Sequence, residues 1–327
     1  MMDSITHIFL GASIGQAVAN KKTNHKAAIL GALASSAPDF DVFVQSSQHP
    51  LWTFTIHRSI THSLLFIPFG ALLVFMLAML LFKSLREDWR IYLWVCLLAY
   101  GSHCLLDSCT SYGTELFWPF ANTRVSWDII PIVEPVFTIF LIVGFSFSWR
   151  KAMAKPAIIG LVAALVYLGF CAEQHQRALT AETQLIQSRE QIATEIRVMP
   201  AFANIYQWNG LYVSHARIYS DVIKTPLFGK AYAVNGFSMP QFSVEQLPHA
   251  LQNPEFLNAA QVLLWFSQSY VSVAQDHPFT IVDMRYLNKS SPLTAMWGLS
   301  LLTQQSENFI LRVSRVLIDP DEIEANH

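Results

Sequence analysis

The sequence predicts a polytopic α-helical membrane domain, with about four long spans and a short helical hairpin, followed by a soluble α+β domain. Of all residues 53% are hydrophobic and 13% are charged, about half of the roughly 25% charged share that is usual. The long apolar runs all lie before residue 173. We therefore expect a helical membrane domain over residues 1–172, a helical stalk or linker over residues 173–199, and the α+β domain over residues 200–327.

Four apolar runs are candidates for membrane-spanning helices: residues 64–82, 91–106, 132–149 and 156–172. The first run contains no charged residue and meets the length of about 20 residues that crosses a hydrocarbon core roughly 30 Å thick. The other three are shorter or carry polar residues. Together they predict about four spans.

Two further apolar segments, residues 8–19 and 27–37, are too short to span a bilayer and are rich in Gly, Ala and Ser. Small residues let helix backbones approach one another closely. This pattern predicts a closely packed helical hairpin or re-entrant pair. Beyond Pro200, short segments of partly alternating hydrophobicity and two more helical segments indicate an antiparallel sheet in the α+β domain.

Basic residues orient these segments across the membrane. They cluster in three loops, which contain Lys21, Lys22 and Lys26, then Lys83, Arg86 and Arg90, then Arg150, Lys151 and Lys155. By the positive-inside rule these loops face the cytoplasm. The loops around residues 38–63 and 108–131 then face outward, and an even number of spans also places the C-terminal domain outside. We expect an integral protein of the bacterial inner membrane with an extracytoplasmic C-terminal domain.

Four motifs place metal-ligating residue types on the predicted outer side. They are Thr6-His7, Pro38-Asp39-Phe40-Asp41, the segment from His57 to Ser63, and His103-Cys104-Leu105-Leu106-Asp107. Ionisable side chains in or near hydrocarbon are costly unless they find partners, and so they are candidates for function by default. Imidazoles and carboxylates are also the ligands of a zinc-type hydrolytic site. Because the topology rests on Lys and Arg alone, this convergence independently supports a single site.

The pair His103 and Asp107 is the strongest local signal. Residues four apart lie on one face of a helix, so both side chains can reach one ion. Taken alone, the pair is as consistent with a hydrogen-bonded polar pair between helices as with two metal ligands. The other motifs on the same side favour a metal site, and the candidate ligands are His7, Asp39, His57, His62, His103 and Asp107.

The spacing within two motifs suggests different roles for neighbouring residues. His57 and His62 are five apart and cannot face the same way from one regular helix. We therefore expect His57 on an approach loop and His62 in a first helical turn. Asp39 and Asp41 follow Pro38, which places both carboxylates on a turn. One of them can be a ligand while the other orients a histidine.

Two residues are candidates for catalysis. Asp41, if it does not bind the ion, could accept a proton from water. Arg58 lies beside a candidate ligand and could bind a phosphate oxygen, with an anchor to lipid headgroups as an equal alternative.

These motifs, taken together, resemble those of the YdjM-like group of inner-membrane metal-dependent hydrolases. The strings that carry the resemblance are the segment from Thr6 to Gly11, Gly31-Ala32-Leu33, and the Pro38, His57 and His103 motifs. More remotely, the group is similar to zinc-dependent phospholipase C and S1/P1 nuclease, an all-helical fold in which Asp and HxxxD ligands bind zinc. The resemblance covers residues 1–172 and implies a divalent metal, with zinc as the expected ion. The chain shows no later HxxxE pair, so we expect one or two ions.

Two functional hypotheses follow. The first is a membrane-bound metal-dependent hydrolase that acts on a phosphoester or another ester of a lipid or envelope substrate through a metal-activated water. Its partners would be membrane lipids, no nucleic acid is expected, and the sequence identifies no protein partner. The alternative is a non-catalytic membrane protein with a structural metal site and an outer domain that binds a partner. A coordination position open to water would distinguish the enzyme.

Overall fold

The computed structural model describes residues 4–44, 51–247, 254–276, 279–288, 293–303 and 309–318. The chain divides into two compact units. The first comprises Met1–Val44, Ile56–Gln176 and Pro200–Tyr206, and the second comprises Gln45–Thr55, Arg177–Met199 and Gln207–His327. The candidate site lies in the first unit.

The described helices are mostly in the first half of the chain. The α-helices are α1 (Ser4–Val18), α2 (Asn24–Ser36), α3 (Trp52–Thr55), α4 (Ile67–Leu81), α5 (Trp89–Ser108), α6 (Pro135–Lys151), α7 (Ala154–Ser188) and α8 (Pro254–Phe266). Short 3₁₀-helices cover Pro38–Val44, Ile60–His62, Lys83–Asp88, Val244–Gln246 and Met284–Tyr286.

The helices α1 and α2 pack backbone against backbone. A Cβ atom added at Gly11 would lie 2.2 Å from the carbonyl oxygen of Gly31, and one added at Gly31 would lie 2.1 Å from that of Gly11. No side chain fits at these two positions. Because His7 is one turn before Gly11 on α1, this close packing helps to position His7.

The expectation of about four long spans is wrong. Among the described residues, two helical segments are long and apolar enough to cross a membrane, Lys83–Ser108 and Ala154–Ser188. A third is possible if Asn24–Ser36 and Pro38–Val44, which meet at a bend of 45°, form one broken span. The second unit follows these helices and is built mainly from β-strands.

Local chemistry shortens the other two predicted spans. Pro68 lies in the first turn of α4, which begins at Ile67 and has 15 residues, because proline has no amide hydrogen to donate inside a helix. Pro135 occupies the first turn of α6, which has 17 residues. At 1.5 Å per residue these helices are about 22 and 26 Å long, less than a hydrocarbon core of roughly 30 Å.

The C-terminal part of the chain contains two antiparallel sheets. Its strands are β1 (Glu195–Ala201), β2 (Asn204–Ser214), β3 (Arg217–Lys224), β4 (Tyr232–Pro240), β5 (Val271–Asp276), β6 (Phe279–Asp283), β7 (Leu287–Asn288), β8 (Leu293–Thr303) and β9 (Phe309–Ile318). The first sheet is a meander in the order β1-β2-β3-β4, and the second has the order β5-β6-β8-β7 with β9 paired to β8. A shared apolar core includes Leu211, Ile218 and Val282. Helix α7 continues to Ser188, and β1 begins within the segment expected as a stalk.

Candidate metal centre

Four buried side chains from three parts of the first unit meet at one point. Asp39 comes from the 3₁₀-helix after α2, His62 from the 3₁₀-helix before α4, and His103 and Asp107 from the last turns of α5. Each offers one ligand atom, and the four ligand atoms lie within 4.8 Å of one another. The group could hold a metal ion.

The separations between these atoms resemble those around a bound ion. His62 Nε2 lies 3.1 Å from His103 Nε2, 3.6 Å from Asp39 Oδ1 and 3.5 Å from Asp107 Oδ2. His103 Nε2 lies 3.5 Å from Asp39 Oδ1 and 3.6 Å from Asp107 Oδ2. Ligand atoms about 2.0–2.1 Å from a tetrahedral ion lie about 3.3–3.4 Å apart. The five separations that involve an imidazole nitrogen are therefore close to those around a single divalent ion, and all four ligand atoms lie within 4.8 Å of one another.

Other side chains hold Asp107 in this orientation. Its Oδ1 lies 3.1 Å from His7 Nε2 and accepts a hydrogen bond of 3.0 Å from Arg58 Nη2. Its Oδ2 lies 2.8 Å from Arg58 Nε. Arg58 is fully buried, and its Nη1 also donates to Thr110 Oγ1 at 2.9 Å. Arg58 thus contacts both oxygens of Asp107, and Oδ2 also faces the imidazoles of His62 and His103.

Asp41 holds the other face of the site. Its Oδ2 lies 3.4 Å from His62 Nδ1 and accepts hydrogen bonds from the Thr61 hydroxyl at 2.8 Å and the Arg58 backbone amide at 3.2 Å. Its Oδ1 lies 2.7 Å from His57 Nδ1. A carboxylate at the far nitrogen of a ligating histidine is a common means of fixing the tautomer and ring orientation.

Charge at the site favours a cation. Burial alone would lower the pKa of His62, but the neighbouring carboxylates, Asp107 first among them, outweigh it and raise that pKa to about 10. Burial lowers the pKa of His57 below its usual value, and the hydrogen bond with Asp41 does not offset it. The point where the four ligand atoms meet thus attracts positive charge, whereas His57 is disfavoured as a cation.

The site opens at Asp39. The Asp39 side chain is 13% exposed, whereas those of His62, His103 and Asp107 are fully buried. The same 3₁₀-helix exposes Phe40, Phe43 and Val44, and Phe43 is 80% exposed. The least buried of the four candidate ligands thus lies on a short helix with exposed apolar side chains.

A comparison with protein families identifies the group to which the chain is related. The model of the YdjM inner membrane protein family matches residues 2–178, which is more than half of the chain. The chain belongs to the YdjM inner membrane protein family. The matched region includes all four residues of the candidate metal centre.

No curated protein and no solved structure matches the chain. The match to the YdjM family model confirms the family resemblance found in the sequence. The more remote similarity to phospholipase C and S1/P1 nuclease has no support from these comparisons.

The structure separates the predicted site residues of this YdjM family member by position. Asp39, His62, His103 and Asp107 supply the four converging atoms. His7 and His57 lie outside that group. His7 contacts Asp107, a member of the group, and His57 contacts Asp41, which is not a member. Of the two catalytic candidates, Asp41 contacts His57 and His62, and Arg58 contacts Asp107. The predicted roles of these residues remain predictions.

Sequence reasoning missed three residues that support the site. Thr61 donates to Asp41, Thr110 accepts from Arg58, and the Tyr112 ring centroid lies 5.0 Å from the Arg58 guanidinium carbon. Thr61 lies within the segment from His57 to Ser63, so its place next to the candidate ligand His62 could have identified it as a supporting residue. Thr110 and Tyr112 follow α5 in a loop with no recognisable ligand spacing.

Proposed function

We propose that this protein is a membrane-bound metal-dependent hydrolase acting on a phosphoester or another ester of a lipid or envelope substrate. One observation carries the proposal: two imidazole and two carboxylate atoms lie within 4.8 Å of one another, and each imidazole nitrogen lies 3.1–3.6 Å from the other three atoms. Such a concentration of buried charge is expensive near hydrocarbon without a function.

A divalent ion bound here would polarise the scissile group and lower the pKa of a coordinated water. Asp39, His62, His103 and Asp107 would hold it. We propose zinc, because imidazole and carboxylate suit it and because zinc accepts a fifth ligand, which leaves a position for water. The Asp39 side is where a substrate can approach, since it is the exposed part of the group.

Asp41 and Arg58 act as positioning residues in this proposal. Asp41 contacts the Nδ1 atom of His62 and would leave the Nε2 atom of that histidine free to bind the ion. Arg58 places its guanidinium against both oxygens of Asp107. These contacts favour orientation of ligands over the direct roles of proton acceptor and phosphate binder that the sequence suggested.

The exposed apolar side chains beside Asp39 support a lipid substrate. Phe40 and Phe43 lie with ring centroids 6.1 Å apart, on the same short helix as the exposed ligand. Exposed apolar side chains that lie together are typical of a surface that contacts a membrane or an apolar ligand. An amphiphile could place its ester group at the ion while its acyl chains remain in the bilayer.

The burial of three ligands favours a second candidate function, a closed structural metal site. The side chains of His62, His103 and Asp107 have no exposed surface, and a structural zinc site is closed. In that case the metal would fix the ends of α5 and the flanking 3₁₀-helices. The number of water ligands on the bound ion separates the two proposals.

Metal content and hydrolysis should be lost together in the variants His103→Ala and Asp107→Asn, because each removes a donor atom from the ion. Purified variants are analysed for bound metal and assayed against a panel of phospholipids and phosphodiesters. The control is His25→Ala, an exposed histidine outside the group, which should match wild type. Wild-type protein without bound metal would refute the site, and metal-loaded protein inactive across the panel would favour the structural role.

A further inference from the structure

Three segments of the first unit carry a large excess of exposed basic side chains. They are the turn between α1 and α2, the 3₁₀-helix that leads into α5, and the turn between α6 and α7. Within residues 19–26, 82–90 and 148–155, all of which the structure describes, the acidic residues are Glu87 and Asp88. The exposed basic residues are Lys21, Lys22, Lys26, Lys83, Arg86, Arg90, Arg150, Lys151 and Lys155.

The α1–α2 turn contacts both of the other segments. Lys22 Nζ lies 2.9 Å from Glu87 Oε2, in the 3₁₀-helix before α5. His25 Nε2 lies 2.8 Å from the carbonyl oxygen of Trp149, near the end of α6. The three segments therefore meet at one end of the first unit. We call their nine exposed basic residues the basic end.

Most of the positive charge in the basic end has no acidic partner. Both acidic residues lie beside Lys22, Glu87 at 2.9 Å and Asp88 at 3.7 Å. The α6–α7 turn has no acidic residue, and its basic side chains form no ion pair with another described residue. A surface with such an excess of positive charge attracts anions.

The basic end lies where the apolar surfaces of both candidate spans begin. Lys83, Arg86 and Arg90 are in the first two turns of the segment Lys83–Ser108, and Lys155 is in the first turn of Ala154–Ser188. Further along, the exposed side chains are apolar: Trp94 and Leu98 in the first segment, Ile158, Ile159 and Val162 in the second. Basic residues at the ends of such helices lie at the level of the lipid headgroups.

We propose that the basic end binds the headgroups of anionic phospholipids. An anionic headgroup has a phosphate without a compensating ammonium group, so it complements unpaired lysines and arginines. Each such residue near an anionic membrane surface strengthens the attraction by about fivefold. The inference depends neither on the proposed hydrolase activity nor on the compartment that this end faces.

Spin-labelled lipids in proteoliposomes test this proposal. Purified full-length protein is reconstituted in phosphatidylcholine with a trace of spin-labelled phosphatidylglycerol or phosphatidylcholine. The motionally restricted fraction of each label gives the preference for the anionic lipid. One variant combines Arg150→Gln, Lys151→Gln and Lys155→Gln, and a second, Glu87→Gln, removes negative charge from beside Lys22.

Glu173→Gln is the matched control for Glu87→Gln. It removes the same charge from an exposed position in α7, about 27 Å along the helix from Lys155. The control should therefore change the lipid preference less than Glu87→Gln does.

We expect wild type to prefer phosphatidylglycerol by about threefold or more, and salt should weaken this preference because it screens exposed charges. The triple variant should lose at least half of the preference, and Glu87→Gln should increase it. Three results would each overturn the proposal: no preference in wild type, an unchanged preference in the folded triple variant, or an increase in Glu87→Gln no larger than in Glu173→Gln. Binding of polyglutamate by wild type without a preference for phosphatidylglycerol would assign the surface to an acidic protein and would also overturn it.

Discussion

Arg58 is the residue on which the geometry of the candidate site most depends. Its φ angle of 60° is uncommon for a residue with a long side chain. In this conformation its amide donates to Asp41 while its guanidinium pairs with Asp107. One residue thus connects Asp41, which contacts the far nitrogen of His62, with Asp107, one of the four candidate ligands.

Arg58→Ala should weaken metal binding by about 10–100-fold, the usual effect of removing a residue that orients a ligand. Arg58→Lys should recover only part of the loss, because an ammonium group is a point charge and cannot contact both oxygens of Asp107 as a planar guanidinium does. Chelator competition on the purified protein measures the affinity.

The control for these variants is Arg90→Ala, an exposed arginine at the other end of α5, which should leave the affinity unchanged. Unaltered metal affinity in Arg58→Ala, combined with loss of hydrolysis, would contradict the positioning role and support direct contact with a phosphate.

Among the helices, the close packing of α1 on α2 helps to position His7 beside the candidate ligands. Gly11 and Gly31 allow contact between their backbones, and His7 is one turn from Gly11. His7 in turn lies with its ring centroid 3.8 Å from that of His103. A change at the α1–α2 interface should therefore reach the candidate ligands.

Gly31→Leu should lower the melting temperature in detergent and weaken metal binding, because its side chain would collide with the backbone of α1. Overpacking of this kind typically costs about 1–3 kcal/mol. The tryptophan fluorescence of the protein reports unfolding. The matched control is Gly169→Ala in α7, where an added Cβ meets nothing within 4 Å. That variant should be as stable as wild type or more so, by up to about 1 kcal/mol. Equal melting temperatures for Gly31→Leu and wild type would contradict close packing of α1 on α2.

For the whole molecule, the orientation in the membrane decides which compartment the sheets occupy. Lys83, Arg86 and Arg90 lie at the start of the span that ends at Ser108, and Arg150, Lys151 and Lys155 flank the start of α7. The positive-inside rule places both starts in the cytoplasm. We therefore propose that both spans run outward and that the end of α7 lies outside the cytoplasm.

Fusion of alkaline phosphatase after Gln174 should therefore be active, because α7 carries the reporter out of the cytoplasm. A fluorescent protein fused at the same point should be dark. Fusions after Lys151 provide the control and should behave in the opposite way. An inactive phosphatase together with a bright fluorescent protein at Gln174 would invert the orientation.

Residue types and their spacing were sufficient to predict membership of the YdjM family and a group of imidazoles and carboxylates that could bind a metal. The His103 and Asp107 pair is an example, since an interval of four residues on one helix places both side chains on the same face. The apolar runs likewise indicated a membrane protein. The face of a helix on which a residue lies, and the length of an apolar run, depend only on residues that are close in the sequence.

Only the tertiary structure decided which candidate residues share one point and how many helices can cross the membrane. Asp39, His62 and His103 are distant in the chain, so their separations depend on the packing of α2, α4 and α5 against one another. The number of spans was overestimated because the length of an apolar run does not show at which residue the helix begins. Pro68 and Pro135 lie in the first turns of α4 and α6 and set those starts. Each of them shortens a run that composition alone would extend across the bilayer.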